Sequence, residues 1–332
     1  MKTPKVGIVS TAILLAFGLL LTPLASEAQQ PAKIPRVGFL GHKAPTQAEP
    51  SLPLQAFRQG LANLGYVEGR DIIIEARFSE GRVERFPELA TELVRLNVDV
   101  IAVVGAVTAR AAKKATTTIP IVFAVVVEPV ADNVVASLER PGGNVTGITN
   151  FDPRQPRKQL ELLKEALPGL GRVEILGDRG VSNDLLKANE EQARALGLQT
   201  RGLKLAGPTP DFEGTFAAAR KEGADAVLLL DEPIIGINRK RIGELAVKYR
   251  LPTMFGGDWV DAGGLIAYGP SILDAVGRIS VYVDKILKGA KPGDLPVEVL
   301  TNYRLTFNIK TAREIGVTIP AEVLKRANQV IQ

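Results

Sequence analysis

The chain contains no cysteine, a single histidine (His42) and few aromatic residues, 5% in all. Without cysteine there is no disulfide, thiolate zinc site, iron–sulfur ligation, cysteine nucleophile or lipidated N-terminal cysteine. One histidine excludes multi-histidine metal sites and leaves imidazole acid–base chemistry to His42 alone. There is no G-x-x-x-x-G-K-S/T phosphate loop and no G-x-S-x-G elbow. The first strand runs into Gly41-His42-Lys43 and not into a G-x-G-x-x-G turn. No spacing links His42 to a serine and an aspartate as a triad. The sequence therefore predicts neither cofactor nor metal, and it does not read as an enzyme.

What is present fits a globular protein. The 332 residues are 45% hydrophobic and 23% charged. That length exceeds what one hydrophobic core usually supports, so two lobes are expected. The net charge of +5 is spread among acidic neighbours. It reads as a mixed solvated surface, not as a nucleic-acid footprint.

The first residues read as an export signal. Lys2 and Lys5 form a basic start, Val6 to Leu21 carry no charge, Pro23 breaks the run, and Ser26-Glu27-Ala28 supplies small residues at a cleavage site. The alternative is a membrane anchor, but the run falls short of the roughly 20 residues that span a bilayer. Cleavage is expected after Ala28, leaving a chain that begins at Gln29. With no second long apolar stretch and no cysteine to lipidate, the mature protein is expected free in the periplasm.

Beyond Pro35 the pattern alternates. Strands are expected at Arg36–Leu40, Asp71–Ala76, Val98–Val104 and Ile119–Val127, with helices at Leu52–Leu64, Arg82–Leu96 and Thr108–Ala115. A turn-rich break at Arg140-Pro141-Gly142-Gly143-Asn144 precedes a strand at Val145–Ile148. A second run follows, with helices at Arg157–Leu167, Asn183–Leu196, Asp211–Lys221 and Ile237–Tyr249. Its strands are Arg172–Leu176, Gln199–Leu205, Ala224–Leu230 and Leu251–Phe255. Uniformly apolar strands separated by helices imply parallel sheets covered on both faces. The tail departs from this scheme. A strand at Gly264–Tyr268 and a helix at Ser271–Leu287 precede strands at Leu295-Pro296-Val297 and Tyr303–Ile309 and a helical end from Thr311. Such a tail suggests that the chain returns to the first lobe and crosses again, giving two lobes, hinge strands and a cleft.

Ligands of open α/β sheets bind at the carboxyl ends of strands, where helix N-termini offer free N–H groups. In the first lobe this singles out His42, Ala106, Thr108, Val127 and Glu128. In the second it singles out Asp178, Ser182, Asn183, Asp231, Glu232, Asp258 and Trp259. The Thr108 hydroxyl suits an anion such as a carboxylate, and Glu128, Asp231, Glu232 and Asp258 suit an ammonium. Each also has a bland reading: Thr108 as an ordinary cap, Asp231 and Asp258 as turn residues, Glu128 as a solvated helix start, His42 as a polar loop residue. Trp259, the single tryptophan, follows Gly256-Gly257-Asp258, where ligand stacking is plausible beside core packing. Tyr268, before Gly269-Pro270, either lines the cleft or stiffens the hinge.

Several segments carry a family resemblance. They are Phe57-Arg58-Gln59-Gly60-Leu61 with Gly65-Tyr66-Val67-Glu68-Gly69, Thr117-Thr118-Ile119-Pro120-Ile121-Val122-Phe123, and Arg140-Pro141-Gly142-Gly143-Asn144-Val145-Thr146-Gly147. Ala262-Gly263-Gly264-Leu265 with Tyr268-Gly269, Ile286-Leu287-Lys288-Gly289-Ala290-Lys291-Pro292 and Asn308-Ile309-Lys310-Thr311-Ala312 complete the set. Together, from about Pro35 to Gln332, the chain resembles ABC transporter substrate-binding proteins related to the tryptophan/tyrosine-binding (TrpX/YtrP-like) group. The resemblance implies a type I periplasmic-binding-protein fold: α/β, two Rossmann-like lobes, three crossovers, and ligand in the cleft. The lobes would comprise residues 34–148 plus 270–292 and residues 149–269 plus 293–332. It implies a small-molecule ligand, an amino acid or small carboxylate, aromatic ones included. It also implies a membrane permease and ATPase as partners, no nucleic acid, and a monomer. Glu128-Pro129 stands where relatives often have Asp-Pro, and Asp178 to Asn183 stands where many are Asn-Pro-rich, so the relatives' ligand is not carried over.

Other classes make different demands. A repressor of this fold needs an N-terminal helix-turn-helix, where this chain has a hydrophobic signal. A sensory binding protein serving a receptor would look the same in sequence, and an exported α/β enzyme would need a paired catalytic constellation.

Overall fold

Strands that are apolar throughout must be covered on both faces, because neither face tolerates water. The computed structural model of this protein, which describes residues 33–47, 50–150, 152, 154–178, 181–205, 210–230, 233–257 and 259–332, arranges them in that way. The expected signal segment lies outside the described residues. The first run comprises β1 (Arg36–Gly41), α1 (Leu52–Asn63), β2 (Ile73–Phe78), α2 (Phe86–Arg95), β3 (Val100–Val104), α3 (Ala106–Ala115), β4 (Ile121–Ala124) and β5 (Val145–Thr149). The second comprises α4 (Gln155–Ala166), β6 (Arg172–Asp178), α5 (Asn183–Ala195), β7 (Gln199–Leu205), α6 (Phe212–Lys221), β8 (Ala226–Leu229), α7 (Pro233–Ile237), α8 (Arg239–Tyr249), β9 (Thr253–Phe255) and β10 (Ile266–Pro270). The chain ends with α9 (Ile272–Leu287), β11 (Glu298–Val299), β12 (Tyr303–Asn308), α10 (Ile309–Ile315), α11 (Ala321–Leu324) and β13 (Gln329–Ile331).

Among the described residues the strands form two sheets. One has the order β11-β5-β4-β3-β1-β2 and is parallel throughout. The other has the order β13-β12-β10-β9-β8-β6-β7, in which only β10 and β12 run antiparallel. One apolar core lies under α1 and α9 and continues past the crossovers to Leu229, Phe255 and Phe216 of the second sheet and its helices. α2 and α3 cover the other face of the first sheet, and α4, α5 and α10 cover the other face of the second.

Sequence signals place the helix starts. Ser182, Asp211, Ser271 and Asn308 each accept a hydrogen bond from the backbone N–H three residues on, at 2.8–3.1 Å.

The chain passes between the sheets after β5, after β10 and after β11. The tail corrects two expectations. The strand placed at Leu295-Pro296-Val297 lies instead at Glu298–Val299, paired with β5. Pro296 has no N–H to give a ladder, and its carbonyl accepts from Tyr282 Oη at 2.9 Å. Glu298 and Val299 therefore belong to the first sheet. The chain also ends on a strand, β13, parallel to β12, where only helix was expected.

The three crossovers are tied to one another. Leu300 N donates to Thr149 O at 2.9 Å, and Gln159 Nε2 donates to Tyr268 O at 3.0 Å. The Tyr268 and Tyr303 rings stack with centroids 5.4 Å apart. Gly269 is required here, since a Cβ would sit 1.3 Å from Gly256 O.

Candidate functional site

The carboxyl ends of β4, β5 and β8 and the facing sides of α4 and α5 enclose a cavity of about 190 Å³. Val127 and Glu128 reach it from the loop after β4. Asn150 and Asp152 reach it from the first crossover. The second sheet contributes Leu229 and Leu230. On α4, Gln155 and Gln159 line it one turn apart, and on α5 Leu185, Asn189 and Gln192 follow the i, i+4, i+7 stripe. Apolar side chains with a few placed polar groups are the ordinary build of a small-molecule site.

Glu128 spans the cavity. Its Oε2 accepts from Ser182 Oγ at 2.7 Å, while Ser182 Oγ accepts from Leu185 N at 3.0 Å as the cap of α5. One serine hydroxyl thus closes a helix end and joins the loop after β4 to the second sheet's side of the cavity. Behind Glu128, Asp132 pairs with Arg110 at 2.7 Å. Burial raises the Asp132 carboxyl above the usual range, Arg110 works against this, and the Glu128 carboxylate adds to it.

Asp152 is held by Arg154, whose Nε donates to its Oδ1 at 3.0 Å. That bond, first among the causes, keeps the Asp152 carboxyl below the usual range. Beside it the Tyr303 phenol is raised, by burial first and by the Asp152 carboxylate next. Tyr268, stacked on Tyr303, is raised mainly by burial.

The residues expected from sequence separate into groups. Val127 and Glu128 line the cavity, and Ser182 bonds across it. Asn183 opens α5 and is exposed, and Asp178 ends β6 and is buried. Ala106 is the first residue of α3 and is also buried. Thr108 corrects its expectation as an anion-holding hydroxyl. α3 begins two residues earlier than predicted, so Thr108 is fully buried and its single proton is shared between Val104 O and Gly105 O, both at 2.7 Å.

His42 also turns inward. Its ring meets Phe86 edge-on at 4.8 Å, and neither ring nitrogen has a partner in hydrogen-bonding geometry. Burial pushes its pKa down to about 4, with the nearby Val104 carbonyl offsetting only part. Tyr268 belongs to the hinge stack and does not line the cavity. Asp231, Glu232 and Asp258 lie outside the described residues. Trp259 opens a short 3-10 turn to Ala262, and its side chain is likewise outside them.

Asn150, Asp152, Gln155, Gln159, Asn189 and Gln192 went unnoticed in the sequence. They lie on a crossover and on helix faces, not in strand-end loops. The available signal was the spacing of amides at i, i+4 on α4, and of Leu185, Asn189 and Gln192 on α5.

Residues 50–331 match the family described as ABC transporter substrate binding protein. A tyrosine-binding protein of Clostridioides difficile (strain R20291) is 24% identical over 272 residues, covering 79% of this chain and 75% of the relative. A conserved domain protein from Vibrio cholerae O1 biovar El Tor is 26% identical, with a TM-score of 0.81 over 90% of this chain and 100% of that one. An ABC domain from Streptococcus pneumonia, solved in complex with L-Trp, is 25% identical, with a TM-score of 0.79 over 90% of this chain and 99% of that one. The α/β architecture is that of type I periplasmic binding proteins. Proteins of this family bind a small solute for a membrane transporter. With the family match running through both sheets and the cavity between them, this chain belongs to the ABC transporter substrate-binding proteins.

Proposed function

We propose that this protein captures a small molecule, an amino acid or small carboxylate with aromatic ones included, between its two lobes and delivers it to a membrane permease and its ATPase. The first lobe is built on residues 34–148 with the returning helix and β11, and the second on the rest. The observation that carries the reading is the cavity bounded by groups from both lobes, with Glu128 and Ser182 joined across it. A ligand that touches both lobes only when they are shut stabilises the shut form by differential affinity. The protein works as an exported periplasmic monomer, cleaved after Ala28 and without a lipid anchor, and catalyses no reaction. The relatives that carry tyrosine-binding and L-Trp names make aromatic amino acids the first compounds to try.

A thermal-shift screen of amino acids, aromatic acids and small carboxylates tests the capture. A ligand at 100 times its Kd adds about 2.7 kcal/mol of apparent stability. Small-angle scattering with the best hit should then show a smaller radius of gyration. An unchanged radius at saturation rejects hinge closure.

A further inference from the structure

The polar lining of the cavity between the lobes consists of carboxylates and side-chain amides. Asn189 is fully buried and lines its wall. Its Nδ2 donates to Leu185 O at 2.8 Å, which fixes the orientation of the amide, and its Oδ1 has no partner. A buried acceptor left empty is costly and rare. Gln159, 4% exposed, lines the same cavity, and the bond from its Nε2 to Tyr268 O at 3.0 Å fixes the orientation of that amide as well. Glu128 and Asp152 add carboxylate oxygens to the same lining, and among the described residues no lysine or arginine lines it. The Arg154 side chain that neutralises Asp152 is 87% exposed.

Resting on the solute-binding reading above, we propose that Asn189 and Gln159 are the specificity-determining residues of this cavity. They select a solute that presents a hydrogen-bond-donating amine head and turn away one whose only polar head is a carboxylate. An amine N–H completes the empty Asn189 carbonyl, and a protonated amine is also drawn to Glu128. A carboxylate leaves the Asn189 carbonyl empty and brings a like charge to the side of Glu128 and Asp152. For a solute with both heads, the amine is the end that faces α4 and α5.

Matched compounds separate the two heads: tryptamine against indole-3-propionate, phenethylamine against 3-phenylpropionate, and cadaverine against glutarate. Purified protein is unfolded and refolded to remove any solute carried through purification, then titrated with each compound by calorimetry. In at least one pair the amine should bind ten-fold or more tightly than its carboxylate partner. Asn189→Leu should weaken that amine ten-fold or more while the ligand-free melting temperature holds or rises, since the substitution removes an unpaired buried atom. A residue serving structure alone would lower the melting temperature and leave the preference between heads intact. Gln159→Met repeats the test should Asn189→Leu not fold. Carboxylates that bind as tightly as their amines, or variants that keep full amine affinity, overturn the assignment and leave the solute-binding reading standing. Silence from every compound here and from the amino-acid screen overturns that reading as well.

Discussion

Ser182 Oγ donates to Glu128 Oε2 at 2.7 Å and accepts from Leu185 N at 3.0 Å, so one hydroxyl both caps α5 and bridges the two sides of the cavity. The two roles can be separated by substitution. Ser182→Ala removes both and should cost about 1–2 kcal/mol, the usual loss of a serine cap plus a hydrogen bond. Glu128→Ala removes only the bridge and should cost about 1 kcal/mol. If the bridge exists in solution, the double variant costs less than the sum by about 1 kcal/mol, because the shared bond is counted once. Urea unfolding of the four proteins measures this, and strict additivity would mean the bridge is absent from the unliganded protein.

His42 gives the fold a pH dependence of known sign. Its pKa falls from 6.5 to about 4 because burial disfavours the charged ring. The unfolded chain takes up the proton first as pH drops, so protonation favours unfolding. The neutral ring's contribution is complete above pH 6.5 and is lost as pH falls from there toward 4, a total of about 3 kcal/mol. His42→Gln removes this component. Unfolding at pH 7.5 and pH 4.5 should therefore show wild type losing about 2–3 kcal/mol more than the variant between the two conditions. Carboxylates shared by both proteins cancel in the difference, and parallel losses would place the ring in a solvated setting.

Much of the fold was legible because its physics is one-dimensional. Val100–Val104 and Ile121–Ala124 are apolar at every position, and only a strand covered on both faces asks for that. Asp211 and Ser271 are residue types that favour a helix start, and in the structure each caps its helix. β11 was misplaced because Val297 looks like a strand residue, whereas its N–H goes to Leu138 O. β13 escaped because three residues at a sheet edge carry no period of their own. The site was less readable. Glu128 and Ser182 stand in strand-end loops, where chemistry is expected. Asn189 and Gln159 lie mid-helix and are polar, and only the packing of α4 and α5 around the cavity shows that they are buried. Thr108 misled for the reverse reason, since the helix starts early enough to turn its hydroxyl back onto the backbone.

The α1–α9 crossing supplies an asymmetric prediction from two glycines. Both lie inside helices, where alanine normally gains about 0.5–1 kcal/mol over glycine. At Gly60 a Cβ would sit 2.2 Å from Gly277 O and 2.6 Å from Ser280 Oγ, so one helix must move away from the other. At Gly277 the nearest heavy atom to a Cβ is Ala56 O at 3.4 Å, an ordinary contact. Gly60→Ala should therefore destabilise by about 2–3 kcal/mol, within the range for overpacked interiors. Gly277→Ala should be neutral or stabilise by up to about 1 kcal/mol. Because α9 follows the second crossover directly, with Ser271 as its cap, the shift forced by Gly60→Ala also displaces the hinge. The variant should then lose affinity for whichever compound the screen identifies, while Gly277→Ala retains it. Equal melting temperatures for the two variants would show that the helices do not meet along this line.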